Sequence, residues 1–543
     1  MSVRKTLARN TAYNAAGRLW EAASGLVLTA YVIERIGVAS WGLWAFVSVF
    51  TGYVGLLDFG VGSGFAKYVA EHAARCEDDA LSAVVSTGFF FYLILGCLLV
   101  AVGWPCIDAL VDALVRLGPQ RARDFGSLLY TGDARFLLRW GLVLFAVSNC
   151  VAAFTAVQTG LQRMGITNVL SFATSLVKIA CTVFFIERGH GVRGLLYTNA
   201  ITLALFALAG VIVAFKLIPE LRVSPFHVTR GAFSRLFGFG WRAQIAKLSN
   251  LIMFQTDKLI VAFVFRYLGM VGLYDLGVNL ANKMRQLPLL LLSALVPAAS
   301  DLDAREEHDR LRRLYLRSTK YVAAVTLPLV AFTVGAAGPL MRTWMGEKRD
   351  LALAAWVCRI IAFGYLANIL PGAGISVALG KGRADLQMKA GAIATVANLV
   401  LTVALVYAVW PFGNPSATML AIPVATTLSM FLSCAWFLSA AQPVLGAGAA
   451  AVLGDAMLWP AVASAPGFAL CLAGDRFTSG MVERAPNGLV LLVLATAMGV
   501  SYAALMRLTP FWDAFDHAFL ADTLGLRRIP GFRRLLSRRR RHG

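Results

Sequence analysis

About fourteen long apolar segments fill most of this 543-residue chain, at 13–34, 41–65, 81–104, 136–158, 168–187, 191–217, 238–264, 269–297, 319–343, 352–378, 384–410, 414–441, 447–473 and 487–509. A helix rises about 1.5 Å per residue, so about 20 apolar residues cross a hydrocarbon core of roughly 30 Å. Within that core each backbone amide and carbonyl must find its partner inside the segment, which selects the α-helix. Composition agrees: 58% of the chain is hydrophobic and 15% charged, where a soluble domain carries about 25% charged residues. The expectation is an all-α polytopic membrane protein.

The N-terminus begins with Arg4, Lys5 and Arg9 before turning apolar. Asn14, Arg18 and Glu21 interrupt that apolar run, and no small-residue cleavage site follows it. It therefore reads as a retained first transmembrane helix, not a secretion signal. With the N-terminus inside, Lys and Arg concentrate in the inner loops, most densely at Arg305, Arg310, Arg312, Arg313, Arg317 and Lys320 and in the tail 511–543. This positive-inside bias and the even helix number both put the two termini in the cytoplasm. The net charge of +21 is spread over short loops and that tail. It suits anionic lipid headgroups, at about 1 kcal/mol per basic residue, and not a nucleic-acid groove, which needs a folded polar surface. The eight cysteines form no CxxC and the six histidines no ligand spacing, so no metal or other cofactor is expected.

The chain also resembles itself. Residues 35–43 line up with 267–275, Gly160–Arg163 with Gly380–Arg383, and Thr182-Val183 with Thr402-Val403. A second repeat can start on the same side of the membrane only after an even number of crossings. The expected organisation is two parallel-repeat six-helix bundles around a central cavity, 1–230 and 231–445, with a C-terminal helix pair at 446–510 and the basic tail beyond.

Ionisable groups inside apolar spans are costly and mark interior faces or water-filled paths. In the first helix Asn14, Arg18 and Glu21 share one face, either as a structural ion pair or as cavity lining. Lys247, Asn250 and Asp257 form a second stripe with Lys258 beside it, and Asp275, Asn279, Asn282 and Gln286 a third. Amides can bind hydroxyl-rich ligands or simply join helices. Asp58, Lys178 and Arg359 complete the embedded set. Net positive character there would attract an anionic ligand such as a lipid diphosphate. The outer stretch Pro105–Arg135 holds Asp108, Asp112, Asp124 and Asp133 without a spacing assignable to catalysis, and no soluble module is large enough for an ATPase. A transporter is expected, not an enzyme.

Asn10-Thr-Ala-Tyr-Asn14, the Gly37–Leu43 turn, Leu57-Asp-Phe-Gly-Val-Gly-Ser-Gly64 and Gln255-Thr-Asp-Lys258 resemble bacterial polysaccharide exporters of the O-antigen flippase type, in the multidrug/oligosaccharidyl-lipid/polysaccharide superfamily. The resemblance runs from residue 1 to about 510. It implies a multi-pass protein of the bacterial inner membrane that moves undecaprenyl-diphosphate-linked saccharide from the cytoplasmic to the periplasmic leaflet by alternating access. It also implies a polysaccharide polymerase and a chain-length regulator as further partners. By position it makes Arg18, Glu21, Asp58, Lys247, Asp257, Lys258 and Arg359 the cavity candidates. The competing expectation is an ion-coupled drug or small-metabolite antiporter of the same superfamily, for which an acidic, aromatic cavity would be more apt than embedded Lys and Arg.

Overall fold

The computed structural model describes residues 3–58, 61–75, 77–116, 132–161, 163–292, 295–346, 351–481, 483–513 and 516. Among these the regular structure is entirely helical. Eleven of the described stretches are helical, long enough and apolar enough to cross a membrane. The apolar segments expected at 238–264 and 269–297 are also helices, α7 (Arg230–Phe265) and α8 (Leu268–Leu292). α8 falls outside the eleven because Asp275, Lys283 and Arg285, with its amides, dilute its hydropathy, and α7 because several of its side chains, among them 245–247, 249 and 250, lie outside the described residues. The first two expected segments merge into one run, α1 (Val3–Val54), broken only at Gly37.

The residues cluster into two compact units. The first comprises 1–283, 344–361 and 388–432. It holds α1, α2 (Val61–Ala74), α3 (Asp78–Arg116), α4 (Asp133–Gly160), α5 (Met164–Glu187), α6 (Gly191–Leu217), α7 and most of α8. α4 packs against α2, α3 and α6, and α1 against α5. The core under α2 comes from Val61, Phe65 and Val69, one per helical turn, meeting Leu81, Val85 and Tyr92 of α3 and Leu236 of α7.

One crossing in this unit brings backbone onto backbone. A Cβ at Gly42 of α1 would lie 1.9 Å from the Leu268 carbonyl oxygen, and one at Gly272 of α8 would lie 2.3 Å from that of Val38. Small residues at such a crossing let helices gain van der Waals contact that lipid cannot supply. Gly42→Ala should therefore destabilise the protein by about 1–3 kcal/mol, read as a lower thermal midpoint in detergent, whereas Gly231→Ala, where an added Cβ meets nothing within 4 Å, should leave it within error.

The second unit comprises 284–343, 362–387 and 433–543. Its helices are α9 (Leu295–Ala304), α10 (His308–Gly335), most of α11 (Ala337–Met345), the end of α12 (Leu351–Ile369), α13 (Gly372–Gly380), the start of α14 (Ala384–Val409), the end of α15 (Pro415–Leu445), α16 (Leu458–Phe477) and α17 (Arg484–Leu508). α10 packs against α16, which packs in turn against α17. Arg342 ties this group together by donating to Asp475 Oδ1 at 3.1 Å, Thr478 Oγ1 at 2.7 Å and Asn487 Oδ1 at 3.3 Å.

After α17 the chain returns to α10. Asp516 accepts from Lys320 Nζ and Tyr321 Oη, each at 2.5 Å, and Tyr321 stacks on Trp512. Burial alone would raise the Asp516 carboxyl, but hydrogen bonds from Lys320, Tyr321 and the Asp513 backbone outweigh it and hold the group below its ordinary value of 3.8. A carboxylate depressed on folding stabilises above its unfolded pKa and loses that contribution as pH falls through the folded one. Acidification below about pH 4 should therefore detach this segment, seen as faster amide exchange around Phe511 and Trp512, and Asp516→Asn should exchange fast at neutral pH.

Candidate functional site

The first unit encloses a cavity of ≈ 1030 Å³. α1 supplies Trp20, Glu21, Ser24 and Gly25 from its first segment and Trp44, Ser48 and Thr51 from its second. Facing them are Phe145 and Ser148 of α4, Asn168, Ser171, Phe172, Thr174, Ser175 and Lys178 of α5, Asn199 and Thr202 of α6, and Lys283 of α8. On α5 the positions 168, 171, 175 and 178 lie three or four apart, so one face of the helix carries them all. Trp20 is fixed across the wall: its indole N–H donates to Ser175 Oγ at 2.5 Å, and its ring sits 4.9 Å from that of Phe172.

The charges on the described wall are Glu21, Lys178 and Lys283. Lys178 is within electrostatic reach of both others, and the Lys283 ammonium lies beside Gly25, whose added Cβ would stand 3.3 Å from Nζ. Eight hydroxyls and two amides complete the polar lining. Aromatic faces, hydroxyls and ammonium groups together can hold a ligand that is hydroxyl-rich along one part and anionic along another.

Of the residues expected from sequence, Glu21 and Lys178 face this cavity. Lys258, Asp275 and Asn279 form a different assembly. Lys258 Nζ is 2.6 Å from Asp275 Oδ1, with 13% and 4% of the two side chains exposed. Asp275 Oδ2 accepts from Asn279 at 2.8 Å and from the Trp41 indole at 3.0 Å. Asp257 is buried in a third group, accepting from Tyr274 Oη at 2.8 Å and Thr426 Oγ1 at 2.6 Å, while Asn398 donates to the same Thr426 at 2.9 Å. Asp257 Oδ1, Asn398 Oδ1 and Thr402 Oγ1 are buried oxygens without a hydrogen-bond partner among the described residues. Asn282 is half-buried on α8, and Arg359 on α12 sits 4.7 Å over the Trp356 ring. The side chains of Asn14, Arg18, Asp58, Lys247 and Asn250 lie outside the described residues.

Lys283 is not among the residues expected from sequence, and of the α5 face only Lys178 is. The signal was present in Asn168, Ser171, Ser175 and Lys178, a polar stripe at helical spacing carrying one charge.

A family model described as "Polysaccharide biosynthesis protein" matches residues 136–354. The putative O-antigen transporter of Shigella flexneri is 19% identical over 408 residues, spanning 74% of this chain and 90% of its own. The probable flippase AglR of Haloferax volcanii is 22% identical over 432 residues, spanning 78% and 83%. Among solved structures, the lipid II flippase MurJ in an inward closed conformation superposes with a TM-score of 0.64 at 13% identity, covering 95% of this chain and 99% of that one. An inward-facing multidrug resistance MATE family transporter gives 0.57 at 16% identity, covering 80% and 95%. The chain thus has an all-α polytopic membrane fold and is similar over most of its length to transporters and flippases of the multidrug/oligosaccharidyl-lipid/polysaccharide (MOP) superfamily.

The Lys258–Asp275 pair can be tested as a buried couple. Removing one partner leaves an uncompensated charge, costing about 3–5 kcal/mol, whereas replacing both with apolar residues is often close to neutral. Lys258→Met should lower the thermal midpoint more than Lys258→Met with Asp275→Leu, and the reverse order would show that the pair contributes no mutual neutralisation.

Proposed function

We propose that this protein moves a lipid-diphosphate-linked oligosaccharide from the cytoplasmic to the periplasmic leaflet of a bacterial inner membrane, for surface or extracellular polysaccharide synthesis. The observation that carries the reading is the cavity wall, where Lys178 and Lys283 stand among hydroxyls, amides and aromatic rings. The two ammonium groups meet the diphosphate, and the hydroxyl and aromatic surfaces of α1, α5 and α6 meet the glycan. The names of the Shigella and Haloferax relatives support a substrate of this class. The protein has fourteen transmembrane helices, as two six-helix lobes at 1–230 and 231–445 and a helix pair at 446–510, with both termini cytoplasmic. The tail 511–543 meets anionic lipid, and a polysaccharide polymerase and chain-length regulator act on the delivered product. Asn14, Arg18, Asp58, Lys247, Asn250 and Arg359 remain proposed members of the substrate path.

The second reading, an ion-coupled antiporter of small molecules, draws on the likeness to the MATE transporter and on Asp257, whose unpartnered buried oxygen suits a coupling ion. In the flippase reading Asp257 takes the same role, linking the ion gradient to return of the emptied carrier.

The test is deletion in the native host, with surface polymer and lipid-linked intermediates both measured. Deletion should abolish polymer and accumulate intact intermediates in the inner leaflet. Each lost ammonium–phosphate contact is worth about 2 kcal/mol, roughly thirtyfold in affinity. Lys178→Gln with Lys283→Gln should therefore fail to complement at wild-type membrane abundance, and Asp257→Asn should complement without responding to the ion gradient. Unchanged polymer with lost drug or metabolite efflux would replace this reading with the antiporter.

A further inference from the structure

The connection between α6 and α7 is a rigid strap. Ser82 Oγ accepts from the Arg222 amide at 3.1 Å, and Ser86 Oγ donates to the Arg222 carbonyl at 3.1 Å and accepts from the Ser224 amide at 3.3 Å. Thr87 Oγ1 accepts from the Thr229 amide at 3.1 Å. These three hydroxyls of α3 thus bind three residues of the strap, while Leu221 and Val223 turn into the core beneath α2 and α3. Ser224 caps the turn Pro225–His227 by accepting from the Phe226 amide, and Thr229 caps α7 by accepting from the Ala232 amide.

Held in this way, Phe226 is 94% exposed. A ring anchored by its backbone on a polar connection, with no core to enter, is unfavourable in water by about 1.5–3 kcal/mol relative to burial. It has company: Val228, Phe233 and Phe237 are exposed as well, the last two stacked with centroids 5.8 Å apart. Lys216, Arg222, Arg230 and Arg235 are exposed around them, against the single exposed acid Glu220. On the N-terminal side, α6 presents Ile201, Leu205, Leu208, Ile212 and Phe215 as exposed apolar residues at steps of four, three, four and three. That stripe is the lipid-facing side of a membrane helix, and it stops at Lys216, where the strap begins. An aromatic and basic segment at the end of a lipid-facing stripe lies at the level of the headgroups.

We propose that the 216–237 strap is a membrane-docking site, in which Phe226 and Val228 enter the interface of the cytoplasmic leaflet and Arg222, Arg230 and Arg235 bind anionic phospholipid headgroups. The occupant is lipid because its apolar stripe continues from α6 and because its charge is the opposite of the headgroups'. The strap is fixed to α3 on one side and caps α7 on the other, so the lipid holds the start of α7, the helix carrying Asp257 and Lys258, at a set depth. This assignment stands independently of the transported substrate.

The experiment is depth measurement by spin labelling. A nitroxide is attached at Phe226→Cys in the full chain, with its eight native cysteines replaced, and the protein is reconstituted in nanodiscs of phosphatidylcholine alone or mixed with phosphatidylglycerol. The expected result is a label accessible to oxygen and shielded from a water-soluble nickel chelate, more so with phosphatidylglycerol. That lipid dependence should be lost when Arg222, Arg230 and Arg235 are all changed to Gln. A second label at Phe412→Cys, in the exposed turn after α14, reports whether each sample is folded and inserted, because its accessibility should not respond to the strap substitutions. A label at 226 equally open to the nickel chelate in both lipids would overturn the proposal. So would one immobilised and shielded from both relaxants, which would mean a protein surface covers the strap.

Discussion

Much of the first unit depends on a single close approach, that of Gly42 on α1 to Gly272 on α8. With no side chains between them, the two helices bring Trp41 within hydrogen-bonding distance of Asp275, and Asp275 in turn satisfies Asn279 and Lys258. A buried carboxylate is tolerable in so apolar a setting only because three donors surround it. The contact and the charge cluster are thus mutually dependent. A bulkier residue at either glycine would separate the helices and remove the indole from the acid. The cavity wall shares these elements, since Lys283 lies two turns beyond Asp275 on α8, and Trp44 and Ser48 follow Gly42 on α1.

This division of labour explains which embedded charges face the cavity. Paired charges such as Lys258 and Asp275 neutralise one another and can be packed between helices. Lys178, Lys283 and Glu21 stand on three different helices around an open volume, where solvent or ligand can share the cost of their charge. A cavity that presents two ammonium groups and one carboxylate has a net positive charge and favours an anion. Asp257 bonds to a different set of partners, accepting from Tyr274 and Thr426, the latter also bonded by Asn398.

The fold class was legible because bilayer thickness and backbone hydrogen bonding act on every residue of every span. Helix type followed directly from segment length. The status of α8 was harder, since its embedded charges dilute the same hydropathy signal that identifies the other spans. Site residues were legible only in part. A polar stripe says that a helix has an interior face, yet it does not say whether that face meets another helix or a cavity. Asp275 and Asn279, which the sequence leaves as either ligand-facing or helix-joining, lie in a packed ion cluster, whereas Lys283, one turn past Asn279, faces the cavity. Four residues are one helical turn, so both lie on nearly the same face, and position along α8 separates the two outcomes. The hydroxyls of α5 were passed over because single serines and threonines occur throughout membrane helices, commonly bonded to their own backbone, as Thr174 and Ser175 are here.

Gly37 and Gly42 lie five residues apart and meet opposite demands. At Gly42 the backbone is ordinary helix and the obstacle to any side chain is a neighbouring carbonyl. At Gly37 an added Cβ meets nothing within 4 Å, yet φ 84 and ψ 161 fall in a region that essentially only glycine enters. An L-alanine at 37 would collide with nothing and still fail, because the strain belongs to the torsion itself. The mirror-image residue, D-alanine, is at ease at those angles and would restore the bend. One position is thus intolerant of size and the other of handedness, and chemical synthesis or ligation of the N-terminal segment could tell the two apart where ordinary mutagenesis shows only loss.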